Sequence, residues 1–117
     1  MKLSKAIEYA DAQRPNTIST EMKVKWIREV EADLMELMAI EELYPNEYPT
    51  VDPDLLMPEG YDGIYTFYLM AMIDDANEET ELYQNDFMMF NVAYKEARQW
   101  WARTHRPKKP VRIKGLI

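Results

Sequence analysis

Four carboxylates close together in the sequence are its densest group of residues that could do chemistry. They are Asp74, Asp75, Glu78 and Glu79. On a helix Asp74 and Glu78 stand four residues apart, as do Asp75 and Glu79. A hard cation can bridge such pairs. Two-iron helix bundles also need Glu-x-x-His motifs, but the residue three before His105 is Ala102. We interpret the group as a solvated acidic helix end, and we expect neither a metal ion nor a cofactor.

Composition argues against most kinds of enzyme. The chain has no cysteine, which excludes a disulfide framework, a thiolate metal site and a cysteine nucleophile. Its one histidine, His105, has no nucleophile or acid beside it in the sequence, so we expect it to interact with a helix C-terminus. Three glycines cannot build a phosphate-binding loop. We expect a protein that is not an enzyme.

Charge is divided unevenly along the chain. Residues 1–97 hold 21 acidic and 7 basic side chains, whereas residues 98–117 hold 7 basic side chains and no acidic one. An acidic body does not favour nucleic acid on its surface. A basic segment on such a body can bind nucleic acid or an acidic protein surface, including that of another copy of the chain, and we favour the protein. The candidate interface residues are Arg98, Trp101, Arg103, His105, Arg106, Lys108, Lys109, Arg112 and Lys114.

Hydrophobic periodicity predicts an all-α fold, a small helical bundle that forms a single domain over residues 1–117. The predicted helices span 3–13, 20–42, 61–77 and 79–104. Their apolar side chains recur three and four residues apart, as in helices with one buried face. Ser19 or Thr20 is expected to cap the second helix, and Glu31 is expected on its polar face. Asn77 is expected to supply a left-handed turn residue between the last two helices.

The third predicted helix is apolar on most of its circumference, so we expect it to be buried on several sides. The fourth carries two apolar lines. One line has the spacing of a helix that packs along a long partner, and it consists of Tyr83, Phe87, Phe90, Tyr94, Ala97 and Trp101. The other consists of Leu82, Met89, Ala93 and Trp100. We expect helix 20–42 to cover one line and a second copy of the chain to cover the other.

Two segments rich in proline do not fit a helix. Residues 43–60 hold four prolines together with several large apolar side chains, which predicts an ordered loop that packs on the helices. A docking loop for a neighbouring molecule is the alternative. Pro107 and Pro110 exclude helix from the basic tail of residues 105–117. There the alternation of apolar and basic residues over 111–114 predicts a short strand that pairs with a partner.

A set of short segments matches a known family in order and spacing. In the second half they are Tyr61-Asp62-Gly63-Ile64-Tyr65, Tyr68-Leu69-Met70-Ala71, Ile73-Asp74, Asn77, Glu79, Tyr83, Asn85, Met89-Phe90-Asn91, Ala93-Tyr94 and Arg103-Thr104-His105. In the first third they are Pro15-Asn16 and Lys25-Trp26-Ile27-Arg28-Glu29-Val30-Glu31. With these segments the chain resembles small head–tail connector proteins, also called adaptor or head-completion proteins, of tailed phages and prophages of Gram-positive bacteria. Those relatives carry glycine at the position of Glu78.

The resemblance implies an all-α, non-enzymatic subunit that assembles as a ring on the phage portal protein. Such a ring extends the DNA channel, lets DNA pass without specific binding, and completes the head for the next connector or the tail. The four carboxylates at 74, 75, 78 and 79 would then face the channel. The alternative is a small nucleic-acid-binding or DNA-packaging accessory protein that uses its basic tail.

No segment of the sequence is typical of a signal peptide. The longest apolar run, residues 64–73, is about half of the ~20 residues that a membrane-spanning helix needs. We therefore expect a soluble chain with no membrane partner. With the resemblance, the expected location is the host cytoplasm during assembly and then the head–tail junction of the virion.

Overall fold

Four α-helices form in the part of the chain that the structure describes. The structure is a computed structural model and describes residues 1–105. The helices are α1 (Leu3–Gln13), α2 (Thr20–Leu37), α3 (Gly63–Ala76) and α4 (Thr80–Thr104). The all-α prediction is confirmed for these residues. The strand predicted at 111–114 and the rest of the basic tail from Arg106 onward lie outside the described residues.

The helix α3 lies at the centre and contacts each of the other three. Its buried residues come from every side of the helix, as its apolar circumference predicts. They are Ile64, Tyr65, Thr66, Leu69, Met70, Ala71, Ile73 and Asp74. The helices α1 and α2 also pack on each other, whereas α4 has almost all of its helix contacts with α3.

The helices α2 and α4 both run antiparallel to α3. On the α2 side, Tyr65 bonds to Glu31, and Tyr68, one turn later in α3, bonds to Glu29, earlier in α2. On the α4 side, the ring of Tyr68 lies 5.0 Å from that of Phe90, and the ring of Tyr61, just before α3, lies 5.4 Å from that of Trp100, later in α4. The helices α2 and α4 therefore flank α3 and point the same way.

Side-chain and backbone bonds set both ends of α2. The Ser19 hydroxyl accepts a hydrogen bond from the Met22 amide at 3.2 Å, so Ser19 is the N-cap. The helix ends at Leu37, five residues before the predicted end at residue 42. Ala39 takes a left-handed conformation with φ of 54°, and the Ile40 amide bonds back to the Met35 carbonyl at 2.9 Å. This is a Schellman motif, which stops the helix although its left-handed residue is not a glycine.

The same motif ends α3, and its left-handed residue is Glu78 rather than the predicted Asn77. Asn77 keeps φ of −86°, whereas Glu78 has φ of 59°. The Glu79 amide bonds to the Asp74 carbonyl at 2.9 Å and closes the turn. A side chain with a Cβ is strained in this conformation. The tight turn between α3 and α4 therefore forms without glycine, at some cost in stability.

The Pro-rich segment 43–60 closes the open end of α1. The Leu3 amide bonds to the Pro53 carbonyl at 3.0 Å, and the Leu55 amide bonds to the Met1 carbonyl at 2.9 Å. The Asp52 carboxylate accepts hydrogen bonds from the amide and the hydroxyl of Ser4. These bonds lower the pKa of Asp52, with the Ser4 hydroxyl as the largest cause. The loop thus supplies the cap that α1 lacks in its own sequence.

A buried carboxylate, Glu31, joins α2, α3 and the Pro-rich segment. Its placement on the exposed face of α2 is wrong, since its side chain is fully buried. Glu31 accepts hydrogen bonds from the Tyr65 hydroxyl at 2.7 Å and the Leu56 amide at 3.1 Å. The Met57 amide in turn donates to the Tyr65 oxygen at 2.9 Å. Burial raises the pKa of Glu31, and these hydrogen bonds oppose that rise.

We expect Glu78→Gly to raise the free energy of unfolding by about 1 kcal/mol, because glycine takes the left-handed conformation without strain. Urea unfolding followed by circular dichroism measures the change. Glu79→Gly is the matched control, since residue 79 has φ of −94° and gains nothing from glycine. A loss of stability in the Glu78 variant would contradict this account of the turn.

We expect Tyr65→Phe to lower the free energy of unfolding by about 2 kcal/mol, since it leaves a buried carboxylate oxygen and a buried amide unpaired. The same unfolding experiment measures it. Tyr9→Phe is the control, because the Tyr9 side chain is 50% exposed and its change should stay within about 0.5 kcal/mol. Equal, small effects of both substitutions would show that the hydroxyl of Tyr65 does not hold the loop.

Candidate protein interaction surface

The helix α4 is longer than its main partner and much of it is only half covered. It has 25 residues against 14 in α3, so it is about 37 Å long against about 21 Å. Only Asp86 and Ala97 of α4 are buried. Four aromatic rings of the predicted heptad line contact one another in sequence, with centroids 5.6 to 6.1 Å apart: Tyr83, Phe87, Phe90 and Tyr94. All four rings remain half-buried.

An open groove separates α2 from α4. We call it the α2–α4 groove, and its lining residues are Asp33, Glu36, Leu37, Tyr94 and Arg98. The prediction that helix 20–42 covers one apolar line of the last helix is therefore wrong along this stretch, because α2 ends at Leu37 and its polar edge faces the gap. Leu37 and Tyr94 form the apolar part of the groove. Asp33 and Glu36, both exposed, give its α2 wall a negative charge.

The outer side of α4 carries a second apolar feature. Met88 and Val92 are one helical turn apart and are 56% and 46% exposed. Lys95, also exposed, follows on the same face, so that the three residues have the i, i+4, i+7 spacing of one helix side. We call these three residues the α4 ridge. Leu82, on a neighbouring side of α4, is 41% exposed.

The basic end of α4 is divided, since Arg98 and Trp101 line one depression with Leu37 and Lys95, and Arg103 lies elsewhere. Trp101 stacks on His105 with ring centroids 3.3 Å apart and an angle of 14°. Arg98 lines the α2–α4 groove, whereas Arg103 donates to the Tyr61 hydroxyl at 3.1 Å. Neither arginine stacks on a tryptophan, since within residues 1–105 the cation–π contact is that of Arg28 on Tyr44.

Four of the nine predicted interface residues are thus described. Arg98 and Trp101 line one depression, His105 packs on Trp101, and Arg103 bonds to Tyr61. The other five lie outside the described residues: Arg106, Lys108, Lys109, Arg112 and Lys114. Sequence reasoning missed the α2 wall of the groove. Leu37 is an apolar residue near the end of a predicted amphipathic helix, and the polar character of Asp33 and Glu36 alone does not say which helix they face.

Asp74 does not belong to a solvated acidic surface. Asp75, Glu78 and Glu79 are exposed, but the Asp74 side chain is 1% exposed and cannot face a channel. The Arg14 guanidinium bonds to Asp74 Oδ1 and to Asp86 Oδ2, each at 2.9 Å. A buried pair of carboxylates needs a cation between its members, and Arg14 is that cation. Since Arg14 follows α1, Asp74 lies in α3 and Asp86 lies in α4, the cluster joins the end of α1 to both helices.

The cluster holds two carboxylates and one arginine. Burial, followed by the hydrogen bond and the charge of Asp86, raises the pKa of Asp74 from 3.8 to about 7, against the pull of Arg14. Asp74 Oδ2 has no hydrogen-bond partner. When Asp74 is protonated, its charge is removed from the buried cluster and Asp86 pairs with Arg14.

Neither a protein-family model, nor a curated protein, nor a solved structure matches the chain. None of the helices in residues 1–105 combines the length and the apolar character needed to cross a bilayer. In this part of the chain, no group of three or more His, Asp or Glu side chains is placed to hold a metal ion.

We expect the free energy of unfolding to fall as the pH rises from about 4 to about 7, because folding raises the pKa of Asp74 and, in the same direction, that of Glu31. When folding raises the pKa of an acid, the folded state binds that proton more tightly than the unfolded state does. The resulting stabilisation is complete below the unfolded pKa and is lost as the pH rises to the folded pKa. Asp74→Asn keeps an acceptor for Arg14 and supplies a donor for Asp86. It should flatten this fall, as measured by urea unfolding at several pH values.

Asp75→Asn is the control, because Asp75 is exposed beside the cluster, and it should keep the wild-type profile. A wild-type profile in the Asp74 variant, with a large loss of stability at pH 7, would show that the proton is not held at Asp74.

Proposed function

We propose that this protein is a structural subunit that assembles with copies of itself into a ring at the head–tail junction of a tailed phage or prophage. In this role it is not an enzyme and needs no cofactor. It binds the portal protein on one side and the next connector or the tail on the other. The family resemblance of the sequence suggests this role, and three physical features support it.

The observation that carries the proposal is the uncovered apolar surface of α4. Met88 and Val92 are exposed, and the line of four aromatic rings that ends at Tyr94 is only half-buried. Exposed apolar surface that forms a contiguous patch is typical of sites where proteins associate. A long helix held along one side by α3 has its other sides free for neighbouring copies.

The distribution of charge supports a role around DNA without binding to it. Residues 1–97 carry 21 acidic against 7 basic side chains, and Asp75, Glu78 and Glu79 are exposed at the turn between α3 and α4. A wall of this sign repels phosphate, which lets a duplex pass without adhering. We assign the channel-facing role to these three residues and withdraw it from Asp74.

The basic residues near and beyond the end of α4 suit contact with an acidic surface of a neighbour or of the portal protein. Contacts between unlike surfaces of successive subunits close into rings when the rotation between subunits allows it. An acidic body with a basic end has such unlike surfaces. The proposed sequence of events places the chain in the host cytoplasm first and in the virion after assembly.

We expect the purified chain to form oligomers as its concentration rises, or to assemble when the portal protein from the same genome is added. Sedimentation velocity measures the first, and negative-stain electron microscopy of portal complexes shows the second as an added ring with an open centre. Duplex DNA in low salt should keep its mobility on a gel when the chain is added.

A chain that stays monomeric at every concentration and does not bind the portal protein would contradict the proposal. Tight, salt-sensitive binding of duplex DNA would favour the alternative, a nucleic-acid-binding accessory protein. Both results are independent of which surface joins the copies.

A further inference from the structure

We infer that the subunits join head-to-tail, with the α4 ridge of one copy seated in the α2–α4 groove of the next. This inference rests on the proposed self-assembly and names the two surfaces that make its contact. The ridge is Met88, Val92 and Lys95. The groove is Asp33, Glu36, Leu37, Tyr94 and Arg98.

The two surfaces match in shape and in polarity. The ridge is convex because it lies on the outer side of a helix, and its first two residues, Met88 and Val92, are apolar and exposed. The groove is a depression between two helices, with Leu37 and Tyr94 in its lining. Apolar side chains of a helix seat well in a depression of this kind, where they are removed from water.

Charge fixes the direction in which the ridge enters the groove. Lys95 follows Val92 on the ridge and is exposed. The α2 wall of the groove presents Asp33 and Glu36, which stand three residues apart on one side of the helix and are exposed. When the ridge enters with Lys95 at this wall, the Lys95 ammonium lies beside two carboxylates that attract it. In the reverse direction Lys95 lies beside Arg98, which repels it.

The apolar part of the ridge, Met88 and Val92, lies on a different side of α4 from the groove, so one copy can use both at once. Lys95 lies at the border between them, in one depression with Leu37 and Arg98. Val92 and Tyr94 are two residues apart, which is about 200° around a helix. A contact between unlike surfaces repeats from copy to copy instead of ending at a dimer. The contact therefore suits a ring and does not suit a closed two-fold pair.

Three variants separate the two surfaces. A ridge variant carries Met88→Glu and Val92→Glu, a groove variant carries Asp33→Lys and Glu36→Lys, and Met22→Glu is the control. Met22 is a methionine of α2 that is 40% exposed and belongs to neither surface. All of the substituted side chains are exposed, and circular dichroism with urea unfolding confirms that each variant folds.

We expect each surface variant to assemble at least about tenfold more weakly than the wild type, in solution or on the portal protein. The control should assemble as the wild type does. An equal mixture of the ridge and groove variants should form dimers and nothing larger, because each dimer joins one intact ridge to one intact groove. Adding Lys95→Glu to the groove variant should restore assembly, since the charges are then exchanged across the contact.

Wild-type assembly by either surface variant would overturn this contact and leave the proposed self-assembly standing. A mixture of variants that stays monomeric would overturn the head-to-tail arrangement, since it would mean that each copy needs both surfaces intact. Failure of the wild type itself to assemble or to bind the portal protein would instead remove the proposed function. The sedimentation profile distinguishes these outcomes.

Discussion

The need to cover α3 on all sides determines how the rest of this protein is arranged. A helix with Ile64, Tyr65, Leu69 and Ile73 fully buried cannot leave any side in water. The helices α1 and α2 and the Pro-rich segment cover part of its circumference, and α4 covers another part. Since α4 is longer than α3 and is held along one side, the same arrangement that completes the core leaves apolar surface on α4.

The sequence predicts the elements of this arrangement well, because hydrophobic spacing and prolines act locally. The four helices, the Ser19 cap and the central burial of α3 follow from such signals. The end of α2 does not, since Ala39 takes a left-handed conformation that alanine gives no reason to expect. The burial of Glu31 could not be predicted either, because its partners Tyr65 and Leu56 are far away in the sequence.

The candidate surface was predicted only in part for the same reason. The excess of apolar residues on the last helix can be counted in the sequence, but which helix covers them depends on where α2 ends. Asp74 is predicted to be exposed like its neighbours in the sequence. It is buried instead, and Arg14, which pairs with it, lies 60 residues earlier. Buried polar clusters of this kind join elements that are distant in the chain. They fix the orientation of α4, and through it the position of the ridge and the groove.

We propose that the outer side of α4 becomes covered when copies assemble. The rate of methionine oxidation by dilute peroxide, read by mass spectrometry, measures this cover, since Met88 lies on the ridge and Met22 lies elsewhere, both exposed. We expect both to oxidise readily in the dilute chain and only Met88 to oxidise several times more slowly in the assembled form. Equal rates for Met88 in the dilute and the assembled chain would show that the outer side of α4 stays open to water on assembly.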